Sequence, residues 1–255
     1  MKQTINIIKV GGAVVEDPAS LQALLTQFAS VPGPKLLVHG GGRSATAMAA
    51  RLGIETTMIG GRRVTDSAML EVVTMVYGGL VNKNIVAQLQ AAGIMALGLT
   101  GADLDSIRST RRPAEPVDYG FVGDVNAVNG KALAQLIEAG FVPVMAPLTH
   151  DGKGQLLNTN ADTIAGEVAK GLTPYYDVTL TFCFEKKGVL RSPDDDDSVI
   201  PVINPGTVEA LIADGTVSGG MLPKLQNAFN AIYAGVSRVV ITSTSDLTGG
   251  TLIVK

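Results

Sequence analysis

The chain has 255 residues, 46% hydrophobic and 17% charged, with 4% aromatics and no tryptophan; that suffices for a buried core and excludes a base-stacking nucleic-acid platform. Twenty Lys and Arg against 23 Asp and Glu leave a formal charge of −3, so no basic excess exists to hold a polyanion. One cysteine, Cys183, and two histidines, His39 and His150, exclude a disulfide framework and a cysteine-rich metal site and argue against a structural zinc.

Strand-like and helix-like patterns alternate along the chain. Thr4–Val10 is a short β-branched run ending at Gly11-Gly12. Lys9 interrupts this apolar stretch before a signal-peptide core forms, and no apolar run reaches membrane-helix length, so a soluble cytoplasmic protein is expected. Leu21, Leu24, Leu25 and Phe28 fall at helical spacing. Lys35–His39 is a second strand, closed by Gly40-Gly41-Gly42, and Ser44 stands where a helix over 46–52 would be capped. The stretch 54–65 reads as a hairpin around Gly60-Gly61. Asp66 is a good N-cap for a long helix reaching about residue 92, with Met69, Val72, Val73 and Val76 on one face. A strand (95–99), a hairpin (106–129), a helix (132–139), a strand (141–146) and a turn (150–154) follow. A helix (160–170), a strand (178–183), two helices (204–214 and 220–234) and two strands (238–243 and 251–254) complete the chain.

This order predicts an open, mostly parallel α/β sheet with helices on both faces. A soft division falls near 172–178, after Leu172-Thr173-Pro174, within one continuous sheet. The acidic run 194–197 reads as a solvated loop. Walker-type, dinucleotide, serine-hydrolase and protein-kinase signatures are all missing.

Five constellations remain, each with a plain structural reading beside the chemical one. Lys9 with Gly11 and Gly12 ends strand one, where backbone N–H groups and an ammonium suit phosphate; the alternative is a snorkelling lysine before a turn. His39-Gly40-Gly41-Gly42 suits a ligand against bare backbone at a helix start, or a tight turn; His39 itself reads as a structural histidine. Arg63, after Gly60-Gly61, suits a carboxylate grip, or a solvated hairpin tip. Asn158-Thr159-Asn160-Ala161-Asp162 offers a substrate contact at Asn158 and an anchor for cations at Asp162, or a helix cap at Asn160. Lys224 lies one turn inside a helix opened by Gly219-Gly220 and Pro223, and is otherwise a surface lysine. Asn82-Lys83 reads as an exposed helix face.

Taken together, K-x-G-G, V-H-G-G-G, G-x-R-V-T, N-x-N-A-D and G-G-M-x-x-K, in this order and at these separations, resemble the N-acetylglutamate kinases of the amino-acid kinase superfamily. The resemblance covers nearly the whole chain, including the final G-T-L-I stretch. It implies a three-layer αβα sandwich on a mainly parallel open sheet. It implies ATP-dependent phosphorylation of the side-chain carboxylate of N-acetyl-L-glutamate, with Mg²⁺ on the nucleotide. Residues 1–174 would bind the acyl amino acid and dimerise, and 175–255 would bind the nucleotide. Lys9 and Lys224 would flank the transferring phosphoryl group, with Asp162 orienting both. Gly11, Gly12 and Gly41 would offer backbone donors. Gly41, Gly42, Arg63 and Asn158 would surround the substrate. Glu185 and Gly188 fall in the expected nucleotide region, where L-x-D-V-x-G-V-L of the family is replaced by Thr181-Phe182-Cys183-Phe184-Glu185-Lys186-Lys187-Gly188-Val189-Leu190. The N-terminus starts almost at strand one, unlike the arginine-inhibited hexamers, so a homodimer without strong feedback is expected, with the 66–92 helix as its surface. Rival readings are another acyl group, such as N-succinyl-L-glutamate, another kinase of the superfamily, and a silent amino-acid sensor.

Overall fold

The computed structural model describes residues 2–192, 194–218, 221–247 and 249–255, without the Pro223 side chain; Gly219 and Gly220 of the last motif lie outside the described residues. Strand β1 (Thr4–Val10) turns at Gly11 into a short helix α1 (Gly12–Glu16). Helix α2 (Pro18–Ser30) follows, its N-cap Asp17 accepting from the Ser20 N–H. Strand β2 (Lys35–His39) leads into α3 (Gly42–Arg51) and the hairpin β3 (Met58–Ile59) and β4 (Arg62–Arg63). Gly60 (φ 55°) and Gly61 (φ 75°) form its two-residue tip, the left-handed pair such hairpins require. Asp66 caps α4 (Ser67–Val73) through the Met69 N–H; the helix continues through a π-helical segment, Thr74–Val81, into α5 (Asn82–Ala91).

The rest runs β5 (Ala96–Leu99), β6 (Ile107–Arg111), β7 (Gly123–Val128), α6 (Gly130–Glu138), β8 (Val142–Met145), β9 (Leu148–His150) and β10 (Leu156–Asn158). It ends with α7 (Ala161–Leu172), β11 (Asp177–Phe184), β12 (Val202–Ile203), α8 (Pro205–Ala213), α9 (Met221–Tyr233), β13 (Arg238–Ser243) and β14 (Thr251–Ile253).

Eight strands form one sheet in the order β12-β14-β13-β11-β1-β2-β8-β5. The six from β13 to β5 are parallel; β14 runs antiparallel to β13, with β12 parallel to β14. Period-2 alternation divides β1 between two cores. Ile5 and Ile7 pack with Ile164 and Val168 of α7 and Phe229 of α9, whereas Ile8 and Val10 pack with Leu24 of α2 and with Met69 and Val72 of α4. The fold is therefore an αβα sandwich. The sheet crosses residue 174 without a break, β1 pairing with β11. A second sheet, β10-β9-β6-β7, stands beside it; the 106–129 hairpin supplies β6 and β7.

Two local expectations are corrected. Helix α3 starts at Gly42, not beyond Ser44, and its N-cap Gly41 has no side chain to cap it. The cap comes from elsewhere: Glu16 Oε1 accepts from the Ser44 N–H at 2.6 Å and from its hydroxyl at 3.2 Å. Asn82 is not on an exposed face but 1% exposed. The π-helical segment before it shifts the helix register, which α-periodicity from residue 66 does not anticipate.

Candidate active site

In open α/β sheets, ligands gather beyond the carboxyl ends of the parallel strands. Lys9 is the last residue but one of β1 and faces the α7–α9 side, opposite Phe182 of β11. Its Nζ lies 2.6 Å from Asp162 Oδ1, and both side chains are largely buried. Asp162 sits in the first turn of α7, where Asn160 Oδ1 accepts from the N–H groups of Asp162 and Thr163. The positive end of that helix favours a carboxylate there.

Phe184, two residues beyond Phe182 on the same face of β11, carries both ammonium groups. Lys9 Nζ is 5.3 Å and Lys224 Nζ 3.7 Å from its ring centroid, within cation–π range. Lys224 reaches there from the first turn of α9. Desolvation lowers its pKa below the usual lysine value; the Asp162 charge opposes this and the Lys9 charge adds to it. The structure thus brings Lys9, Lys224 and Asp162 together from three distant segments.

On one side of this cluster is a cavity of about 230 Å³, lined by Gly41, Gly42, Arg63, Tyr77 and Asn158 among others. Arg63 is 8% exposed; its Nη2 donates to the Gly42 carbonyl at 2.7 Å and to Thr46 Oγ1 at 2.8 Å. Asn158 Nδ2 donates to Thr65 Oγ1 at 2.9 Å. A Cβ on Gly41 would lie 3.0 Å from Tyr77 Cδ1, and one on Gly40 only 3.1 Å from the Gly12 nitrogen. Side chains are excluded because two glycine turns and a buried ring meet here. Burial raises the Tyr77 phenol above its ordinary pKa.

On the other side is a cavity of about 330 Å³, lined by Gly11, Gly12, Glu185, Gly188 and Lys224 among others. Gly12 lines both cavities. A Cβ on Gly188 would sit 2.7 Å from Thr251 Oγ1, the atom that accepts from the Val189 N–H. Cys183 lines this cavity too, its thiol pushed up to about 12 by burial. The acidic run is solvated, Asp196 and Asp197 pairing with Lys186 and Lys187 on the surface.

Lys9, Lys224 and Asp162 form this cluster, and Gly11, Gly12, Gly41, Gly42, Arg63, Asn158, Glu185 and Gly188 line the two cavities. His39 does neither; it is fully buried and held neutral by desolvation, with a pKa of about 4. Sequence reasoning missed Tyr77, Phe184 and Glu16. Phe184 alone had a signal, as the aromatic two places after Phe182 at a strand's carboxyl end.

The profile of the amino acid kinase family matches residues 4–243. An acetylglutamate kinase from Phocaeicola vulgatus is 63% identical over 257 aligned positions, covering all of both chains. One from Bacteroides thetaiotaomicron is 64% identical over 245, covering 96% of this chain and 95% of its own. A crystal structure of a Streptococcus mutans protein is 28% identical with a TM-score of 0.81, covering 98% of each chain.

Proposed function

The chain belongs to the amino acid kinase family, and from that premise we propose that it moves the γ-phosphoryl group of ATP onto the side-chain carboxylate of N-acetyl-L-glutamate, a step of arginine biosynthesis in the cytoplasm. The full-length relatives named acetylglutamate kinase support the substrate. The observation that carries the reading is the convergence of Lys9 and Lys224 on Phe184 between two cavities that share Gly12.

Residues 1–174 bind the acyl amino acid, and residues 175–255 bind the nucleotide. Arg63 and Asn158 hold the α-carboxylate end of the amino acid, with Gly41 and Gly42 beside it. Gly11, Gly12, Glu185 and Gly188 border the nucleotide. A carboxylate oxygen attacks the γ-phosphorus, the bond to the β,γ-bridging oxygen breaks, and ADP leaves with that electron pair. The carboxylate is already a nucleophile, so no general base is required. The barrier is repulsion between anions and charge spreading over equatorial oxygens, which positioning and fixed charges lower. Lys9 and Lys224 supply those charges, glycine N–H groups supply donors, and Asp162 orients Lys9. Mg²⁺ would enter the site carried on the nucleotide phosphates. When bound there, it neutralises β- and γ-phosphate charge.

Hydroxylamine converts an acyl phosphate to a hydroxamate. ATP-dependent hydroxamate from N-acetylglutamate is the expected result; its absence with every N-acylglutamate overturns the kinase reading in favour of a sensor. One feature favours a second acyl group: Arg62 and Arg112 line the same cavity as Arg63, more cation than one α-carboxylate uses, although Asp124 pairs with Arg112. A higher kcat/KM with N-succinylglutamate would select that reading. The protein is further proposed to be a homodimer through the long helix, which buries Met69, Val72 and Val76 in its own core but leaves Met75 and Leu80 about half exposed. Mass measurement in solution, with Met75→Lys as the disrupting variant, tests it.

A further inference from the structure

Behind the Gly40-Gly41-Gly42 turn runs a chain of polar groups, His39, Asn82 and Lys83, none of which lines either cavity. Asn82 is 1% exposed and His39 fully buried. His39 Nδ1 lies 2.7 Å from the Gly40 carbonyl, which can only accept, so Nδ1 carries the proton. Nε2 is then the acceptor for the Asn82 amide at 3.1 Å. The second N–H of that amide donates to the Val144 carbonyl at 2.9 Å. Asn82 Oδ1 accepts from Lys83 Nζ at 3.1 Å, which also donates to the Gly98 carbonyl at 3.2 Å. Gly98 and Val144 are register partners on β5 and β8. A Cβ on Gly98 would sit 1.9 Å from Asn82 Oδ1, so the sheet leaves a socket for this amide.

The helix geometry makes the same point. Tyr77 and Val81 pack on Gly41, and Asn82 acts on Gly40 through His39. In an α-helix, residues five apart diverge by about 140°. The π-helical segment Thr74–Val81 instead stacks residues five apart, so Tyr77 and Asn82 reach the same turn.

The Gly40 carbonyl and the Gly41 N–H belong to one planar trans peptide and point in opposite directions. A carbonyl held towards His39 therefore sends the Gly41 N–H away from His39. We propose that Asn82 is a positioning residue for phosphoryl transfer: acting through His39, it fixes the Gly40–Gly41 peptide plane and so aims the Gly41 N–H at the reacting phosphate. This rests on the kinase reading above.

Asn82→Leu removes both donors at similar volume. Its kcat should fall about tenfold or more while KM for ATP and the N-acylglutamate stays within about threefold, because a misaimed donor costs transition-state contact rather than binding. Asn82→Asp places a carboxylate at Nε2. His39 then takes a proton and keeps its Nδ1–H on Gly40, so activity should return near about pH 6 and fall again as rising pH deprotonates the ring. Lys83, the charged group facing His39, limits how high that limb lies. The wild type has no such limb, since its ring is already neutral. A merely structural role would not produce this pH-dependent rescue.

Nitrogen NMR of the two histidines, assigned with His150→Gln, should show His39 as the Nδ1–H tautomer in the wild type and mixed tautomers in Asn82→Leu. Wild-type kcat in Asn82→Leu, or an Nε2–H ring in the wild type, overturns the proposal. A wild type that forms no hydroxamate overturns the kinase reading instead, and the two ring spectra then decide the hydrogen-bond chain on their own.

Discussion

Replacing Asp162 with asparagine keeps the side chain's shape and removes its charge. Lys9 is the one partner that the described residues give Asp162 Oδ1, at 2.6 Å, with side-chain exposures of 8% and 22%. At an effective dielectric of about 20, that contact is worth about 6 kcal/mol before desolvation. Losing one member of a buried pair costs about 3–5 kcal/mol, and the partly wet carboxylate places this case near about 3. For a chain of this size that is a Tm lower by about 6–12 °C. Catalysis should suffer more than stability. Without its anchor, Lys9 is repelled by Lys224 and leaves the phosphoryl path, so kcat should fall on the order of 10²-fold, the cost of one transition-state donor. The Asp162 charge also raises the Lys224 pKa against desolvation. Removing it moves that pKa lower still, and because Lys224 must be protonated to act, the alkaline limb of kcat shifts to lower pH. Hydroxamate formation measured across alkaline pH, well below the variant's Tm, reads both effects. An Asp162→Asn enzyme within about threefold of wild-type kcat and with an unmoved alkaline limb would refute the assignment of Asp162 and the electrostatic argument together.

Lys224→Ala should cost about 10²-fold in kcat in the same assay with little change in KM for the amino acid. Gly41→Ala would put a methyl 3.0 Å from Tyr77 Cδ1; overpacking at a buried ring costs about 1–3 kcal/mol, and the displaced ring should raise KM for the N-acylglutamate, read from initial rates. His39 has a folded pKa of about 4 against an unfolded 6.5, so the unfolded chain binds the extra proton between these values. Stability should fall by about 3 kcal/mol as pH drops from 6.5 towards 4, and urea titrations of His39→Leu should lack that component. Cys183, with its thiol near 12, should react with a disulfide reagent at about pH 8 roughly 10³-fold more slowly folded than in urea.

The sequence makes legible what lies within one element or one turn. Asp66 and Asn160 are helix caps whose partners are two or three residues away, and Gly60-Gly61 is a hairpin tip decided by local backbone freedom. Helix 42–51 starts earlier than local rules suggest because its capping oxygen belongs to Glu16, 28 residues back. The burial of Asn82 depends on a π-helical shift and on a side-chain-free position at Gly98, neither of which leaves a periodic trace. Strands β9 and β10 are three residues each, too short for alternation to register.

The Lys9–Asp162–Lys224 cluster has the same division. Each lysine alone reads as ordinary surface, because a sequence carries no information on which strands become neighbours. Parallel pairing of β1 with β11 sets Lys9 opposite Phe182, and period 2 puts Phe184 on the same face one step nearer the carboxyl edge. Helix α9 returns the chain to β13, the strand beside β11, so its first turn passes over that edge and delivers Lys224 to the same ring. Two cations are therefore gathered at one point by sheet order rather than by motif spacing. The acidic side chain that makes their proximity tolerable, Asp162, comes from the helix packed between them. A variant that kept all three residues but lost the β1–β11 register would keep the motifs and lose the site.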